Sequence, residues 1–221
     1  MINNIAIIPA RGGSKRLPNK NLLHLGDIPL VVHSIRYALQ NNSIIDEVYV
    51  STDSEEIKKV ALENGAKVID RPQHLSGDFE PTASALKHCL EQLPASISNV
   101  FLLQPTNPLR PAELLKDAYK AFTESKSPSL MTVSRNNQKL GKIIDGVFQP
   151  FNYKPGQRSQ DLEPLYFENG LLYISSAELV LNETIISNDV TPFITDHIFA
   201  NVDIDTQDDL EYARLLMQHN F

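Results

Sequence analysis

The sequence predicts an α/β fold, a doubly wound and mostly parallel sheet with a small hairpin excursion. Three observations carry this reading. Short apolar runs alternate with segments of helical periodicity as far as residue 122, and strands alternating with helices are joined by right-handed crossovers. The length of 221 residues and the 42% hydrophobic content fit one large globular domain rather than a disordered or collagen-like chain. The single cysteine, Cys89, excludes an intramolecular disulfide framework and a Cys-clustered zinc site. The fold must therefore rest on its apolar core.

Taken in order, residues 5–9 read as a buried strand. Residues 29–39 follow as a helix, with Leu30, Val31, Ile35, Ala38 and Leu39 facing inward. Residues 47–51 form the second strand, and 54–64 a helix capped by Ser54 and ended by Gly65. A third strand spans 66–70, a helix 82–93, and a fourth strand 99–103. Pro111 opens the next helix, which runs to Phe122 with Leu114, Leu115 and Ala118 on the same stripe. Beyond it the pattern loosens. Residues 130–134 read as a strand and 142–148 as a hairpin turning at Asp145-Gly146, followed by an irregular stretch, 149–164. The excursion over about 138–166 is a dimerisation arm or lid, or else a plain surface loop. The whole chain, 1–221, reads as one domain without internal repeats.

Charge narrows the function. The net charge of −7 argues against a nucleic-acid partner, whose phosphates demand a basic footprint. No apolar run approaches the roughly 20 residues of a membrane helix, and the first eight residues lack the marks of a signal peptide. The expectation is a cytoplasmic, soluble protein. Residues 1–26 carry Arg11, Lys15, Arg16 and Lys20 and no acid; residues 196–212 carry six carboxylates and no Lys or Arg. Such segregation suits a small phosphorylated ligand with a divalent metal, or else two solvated clusters that never meet.

Three constellations could carry chemistry. IPARGGSKRLPNKN, ending at Asn21, directly follows the first strand, where open α/β sheets bind ligands. Gly12 and Gly13 would let the backbone turn and present amides, while Ser14, Arg11, Lys15, Arg16 and Lys20 supply donors for phosphate oxygens. The loop is neither GxGxxG nor a P-loop. NVDIDT, read as a strand from His197, puts Asn201, Asp203 and Asp205 on one face. Two carboxylates there can clasp Mg²⁺, with Mn²⁺ the alternative ion. Thr206 then caps a helix whose first turn holds Asp208 and Asp209. LLQPTNPLR places Gln104, Thr106, Asn107 and Arg110 at the carboxyl edge of the sheet. The six histidines show no metal-ligand spacing, and Cys89 reads as core.

Together these motifs resemble the acylneuraminate cytidylyltransferases, which activate sialic acid and other nonulosonic acids. RPQHLSGD and ENGLLYI complete five ordered motifs spanning nearly the full chain. The resemblance implies a Rossmann-like nucleotidyltransferase fold, usually homodimeric. It implies a reaction of CTP with a nonulosonic acid, giving the CMP-sugar and pyrophosphate. By it, Arg11, Gly12, Gly13, Ser14, Lys15, Lys20 and Asn21 surround the phosphates and ribose. Arg71, Ser76 and Asp78 stand where the family holds the cytidine, and Asp203 and Asp205 match its metal carboxylates. Gln104, Asn107, Asn169, Tyr173 and Phe193 correspond to positions around the sugar. The sialic-acid branch often has an arginine ten residues before the Asn of the NG motif. Here that position is Ser159, with Arg158 beside it as the candidate cation for the sugar carboxylate, from the same or the partner subunit. Asn107 stands where serine is common. Both leave the sugar open. The alternatives are a cytidylyltransferase for the eight-carbon acid KDO, a glycosyltransferase using Asp203 and Asp205 as a DxD pair, and a non-catalytic nucleotide sensor.

Overall fold

Residues 2–93 and 96–219 are described by the computed structural model. The strands are β1 (Asn4–Pro9), β2 (His24–Leu25), β3 (Ile28–Pro29), β4 (Glu47–Thr52), β5 (Lys67–Asp70) and β6 (Asn99–Leu102). They continue as β7 (Ser129–Asn136), β8 (Gly141–Ile144), β9 (Val147–Pro150), β10 (Leu165–Ser176) and β11 (Thr191–Ile194). The helices are α1 (Leu30–Gln40), α2 (Glu55–Glu63), α3 (Thr82–Glu91), α4 (Leu114–Glu124), α5 (Ala177–Leu181) and α6 (Gln207–His219). Seven strands form one sheet in the order β11-β7-β10-β6-β1-β4-β5. Every pairing is parallel except those of β10, which runs antiparallel to β6 and β7.

The two-residue period of β1 explains the layering. Ala6 and Ile8 pack under α1, α2 and α4, while Ile5 and Ile7 pack under α3 and α5. Each such fully buried Ile contributes about 1.5–3 kcal/mol relative to exposure. Cys89 lies in the second of these cores, as its helix position suggests, and burial pushes its thiol up to about 11. A third core unites Leu17, Leu25, Leu30, Leu109, Val202 and Ile204 with Leu210 and Ala213 of α6. It lies beneath the loop after β1.

Local signals read from the sequence act as expected in several places. The Ser54 side chain accepts the Ile57 N–H, and Gly65 takes φ +85 after α2. The β8–β9 turn holds Asp145 at φ 50 and Gly146 at φ 77, as a two-residue hairpin of this hand requires. Thr206 and Asp209 cap α6 reciprocally, the Asp209 carboxylate accepting from the Thr206 amide at 2.8 Å.

Other expectations are corrected. Leu39 is exposed; α1 buries Val32 instead. The helix after Pro111 begins only at Leu114, because the Pro111 carbonyl accepts the Leu114 amide in a tight turn and also the Tyr37 hydroxyl. The stretch from His197 is not a strand: Ile198–Asn201 forms a 3-10 turn with Ile198 exposed. Alternation survives only over Ala200, Val202 and Ile204, which are buried. The twelve residues of β10, the longest strand among those described, were legible only as a motif.

Candidate active site

The loop after β1 is shaped by close approach. A Cβ on Gly12 would stand 3.0 Å from Ser54 Cβ, so any larger residue would press the loop against the start of α2. The Gly12 amide donates to Asp53 Oδ1 at 2.9 Å and is not free to face an anion, contrary to the expectation. Beyond Gly13 there is open space. The far end of the loop is pinned twice: Leu17 is buried in the third core, and Asn21 Nδ2 donates to the Arg11 carbonyl at 2.9 Å.

That same core positions the carboxylates. Val202 and Ile204 are buried, and the Ile204 amide donates to the Thr106 carbonyl at 2.8 Å, leaving Asp203 and Asp205 to line the cleft. The basic loop and the acidic segment therefore meet. Lys20 Nζ lies 2.6 Å from Asp205, and Arg16 lies 2.9 Å from it. Arg11 pairs with Asp78 at 3.2 Å, and Lys15 pairs with the same carboxylate. The Lys15 ammonium, with Arg11, holds the Asp78 carboxyl below its usual range. Burial pushes Asp203 above that range and the Asp205 charge adds to the rise, while the Thr106 hydroxyl and Lys20 oppose it.

The carboxyl edge of the sheet opens into two chambers. The smaller, about 350 Å³, is lined by Arg11, Ser14, Lys20, Asn21, Arg71, Asp78 and Asp205. The larger, about 1060 Å³, lies between β7, β10 and the 196–203 segment. Among the described residues Gln104 and Asp203 alone line both. Arg71 is fixed at its wall by bonds to the Ser51 hydroxyl (3.0 Å) and carbonyl (2.6 Å). Lys15 lies at the mouth, in a recess shared with Arg16 and the fully exposed Phe79. Ser76 lines neither chamber; its hydroxyl donates to the Pro72 carbonyl at 3.3 Å.

The residues matched to the sugar divide in the same way. Gln104, Asn107, Asn169 and Tyr173 line the larger chamber. Asn107 and Asn169 are spent on the scaffold, however. Asn107 Nδ2 donates to the Val202 and Asn169 carbonyls, and Asn169 Oδ1 accepts from the Thr132 hydroxyl at 2.6 Å. The Tyr173 hydroxyl donates to Glu168, and burial raises its pKa. Phe193 packs into the core under α4, outside the chamber walls. Arg158 also lines neither chamber of its own chain, since its exposed guanidinium forks onto Asp161 at 2.8 and 3.1 Å. The one cation on the described wall of the larger chamber is Arg135, opposite Tyr166 across the β7–β10 ladder. Arg135, Glu168, Asp196 and His197 were not found from sequence; only the pairing of β7 with β10 and the 3-10 turn bring them to one cavity. Thr106 joins the smaller chamber from the carboxyl edge of the sheet, where the sequence placed it, and Thr82 joins it without a sequence signal.

Asp203 and Asp205 are hard oxygen donors on the wall of the smaller chamber, and the Asp205 charge is close enough to help raise the Asp203 pKa. Among the described residues no third His, Cys, Asp or Glu joins them as a metal group. They fit an ion that takes its remaining ligands from phosphate and water, as Mg²⁺ does.

A family model described as cytidylyltransferase matches residues 5–221. The chain belongs to the cytidylyltransferase family. This cytidylyltransferase is 34% identical to the pseudaminic acid cytidylyltransferase of Campylobacter jejuni, over 99% of this chain and 98% of that one. It is 35% identical to the CMP-N,N'-diacetyllegionaminic acid synthase of Legionella pneumophila, over 98% and 97%. The N-acylneuraminate cytidylyltransferase of Streptococcus agalactiae is 36% identical over 93% of this chain, which spans about half (51%) of that longer protein. Among solved structures, CMP:2-keto-3-deoxy-manno-octonic acid synthetase complexed with CTP shares the fold at a TM-score of 0.76 and 19% identity, over 99% and 100% of the two chains. A 4-diphosphocytidyl-2C-methyl-D-erythritol synthase follows at 0.71 and 17%, over 98% and 99%.

Proposed function

We propose that this cytidylyltransferase joins CTP to a nonulosonic acid, giving the CMP-sugar and pyrophosphate. The observation that carries the reading is the two-chambered cleft. A chamber that sets Arg11, Lys20 and Arg71 among the carboxylates of Asp78, Glu80, Asp203 and Asp205 meets a larger, mostly neutral and polar one at Gln104 and Asp203. The relatives named for pseudaminic, legionaminic and N-acylneuraminic acids support the acceptor class.

The triphosphate belongs against Arg11, Ser14, Lys15 and Lys20, displacing Asp78 and Asp205 from their present ion pairs. The cytidine belongs towards Arg71. The sugar fills the larger chamber with its 2-hydroxyl at the junction. That oxygen bonds to the α-phosphorus as the bridge to the β-phosphate breaks; the hydroxyl proton is lost and pyrophosphate leaves. Such transfers are driven chiefly by positioning and by cations aimed at the developing charge. Asp203 and Asp205 would hold Mg²⁺, or Mn²⁺ in its place, and the ion when bound would neutralise phosphate charge. The reacting hydroxyl and the carboxylate share one carbon, so the sugar's negative charge also falls near the junction and Lys20 rather than at Arg158.

A homodimer is part of the proposal. The β8–β9 hairpin exposes Ile143 (77%), Val147 and Phe148, and Phe151 beyond it is also exposed. An apolar patch of this kind marks an interaction surface. The reading also places the enzyme in the cytoplasm with its CTP. No described helix is long and apolar enough to cross a membrane.

The test is incubation with CTP, Mg²⁺ and a panel of N-acetylneuraminate, pseudaminate, legionaminate and KDO, read by mass spectrometry. A CMP-conjugate of one nine-carbon acid with equimolar pyrophosphate is expected. Conversion of KDO alone, or of no acid at all, rejects the reading.

A further inference from the structure

A third cavity, of about 500 Å³, lies between α1, the 108–112 loop and the 197–199 turn. Four cationic or titratable nitrogenous side chains line it, Arg36, Arg110, His33 and His197, and among the described residues no Asp or Glu does. We infer that this cavity binds a small phosphorylated or carboxylated ring compound, at a site separate from the two chambers of the cleft.

The electrostatics carry the anion. Arg110 is 7% exposed, and buried arginines are ordinarily paired with a carboxylate. Its guanidinium instead meets three neutral acceptors: the Leu171 carbonyl at 2.6 Å, the Gln104 carbonyl at 2.9 Å and the Ser34 hydroxyl at 3.0 Å. No described carboxylate stands within ion-pair distance of it. Arg36 is exposed at the rim and has no side-chain partner among the described residues. His33 feels both guanidiniums: burial, with Arg36 and Arg110 adding to it, lowers its pKa. A concave wall of one sign focuses the field on whatever enters, and an anion relieves the repulsion among its cations.

The shape carries the ring. Tyr37 lies beneath Arg110, with the guanidinium carbon 5.6 Å from its ring centroid. On the opposite wall His197 and Phe199 stand with centroids 4.4 Å apart. Apolar walls with a few convergent polar groups, at this volume, suit a small organic ligand better than a bare ion. His197 also borders the larger chamber, and Arg110 holds the carbonyl of Gln104, so an occupant would touch the frame of the active site.

His33 lines this cavity and neither chamber of the cleft, so its imidazole reports this site even if the probe also enters the phosphate loop. The experiment titrates the full chain with phenyl phosphate and, separately, inorganic phosphate at matched ionic strength, following the His33 ring resonances by NMR. The resonances are assigned with His33→Gln. A saturable shift is expected with phenyl phosphate, binding more tightly than inorganic phosphate. Arg36→Ala, at an exposed position, should keep the native circular dichroism and weaken phenyl phosphate about tenfold, the loss typical of one charge-assisted contact. No saturable shift, equal affinity for the two probes, or unchanged affinity in Arg36→Ala overturns the inference.

Discussion

Lys20 is the most buried cation of the loop after β1, its side chain only 14% exposed and its ammonium 2.6 Å from Asp205. Lys20→Ala should lower kcat/KM for CTP by about 10–100-fold, the worth of one charge-assisted contact. Steady-state kinetics at saturating acceptor measures this, and an unchanged value would mean that the triphosphate lies elsewhere. Asp203 makes the opposite bargain with stability. Its carboxyl pKa is raised in the folded state, so its charged form at neutral pH works against folding. Asp203→Asn should therefore raise Tm while lowering turnover by about 10²-fold. A melting curve and an initial rate on one preparation check both signs. These residues were legible in the sequence because charge segregation and glycine spacing survive without coordinates. Arg135 was not, since a lone arginine in a strand carries no signal until its neighbours are known.

At the scale of elements, β10 carries the least obvious requirement. Its pairing with β7 shifts register between Glu168 and Tyr173, and Gly170 sits in that bulge at φ +75. A Cβ there would lie 2.7 Å from Asn107 Oδ1. Gly170→Ala combines a left-handed backbone with overpacking and should cost at least about 2 kcal/mol. Urea unfolding decides it, and a smaller loss would show that the bulge relaxes. The NG pair was visible as a motif, but its reason is tertiary: Asn107 arrives from 62 residues away. The expected strand from His197 failed for a related reason. Its alternation matched a strand, yet the segment packs on α6 and the 102–110 loop rather than on a sheet edge, so its hydrogen bonds go to turns.

The whole molecule responds to acid and to association. Asp46 accepts the amides of Asn3 and Asn4 at 2.7 and 2.9 Å, bonds that hold its pKa down and tie the start of β1 to the turn before β4. With the folded pKa below the unfolded one, its contribution is present above about pH 4 and lost as pH falls through the folded value. Asp46→Asn should lower stability at pH 7 and flatten its loss between about pH 5 and 3. Denaturant melts across that range test the sign. For the proposed dimer, replacing Ile143 and Phe148 by Lys should yield monomers in light scattering without changing the fold. A wild-type chain already monomeric at micromolar concentration would remove the arm from the proposal.

The sequence by itself determined the α/β alternation, the caps of α2 and α6, the hairpin turn and the two charge clusters, because each rests on spacing or on conformational preference within a few residues. Tertiary structure decided which strand runs backwards, where Asn107 and Asn169 spend their hydrogen bonds, and which cation faces the larger chamber. It also decided whether the clusters meet. Leu17 and Ile204 are buried in one core, 187 positions apart in the chain, and only that burial puts Lys20 against Asp205. Contacts of that separation come from the packing of the whole chain, which no local pattern encodes.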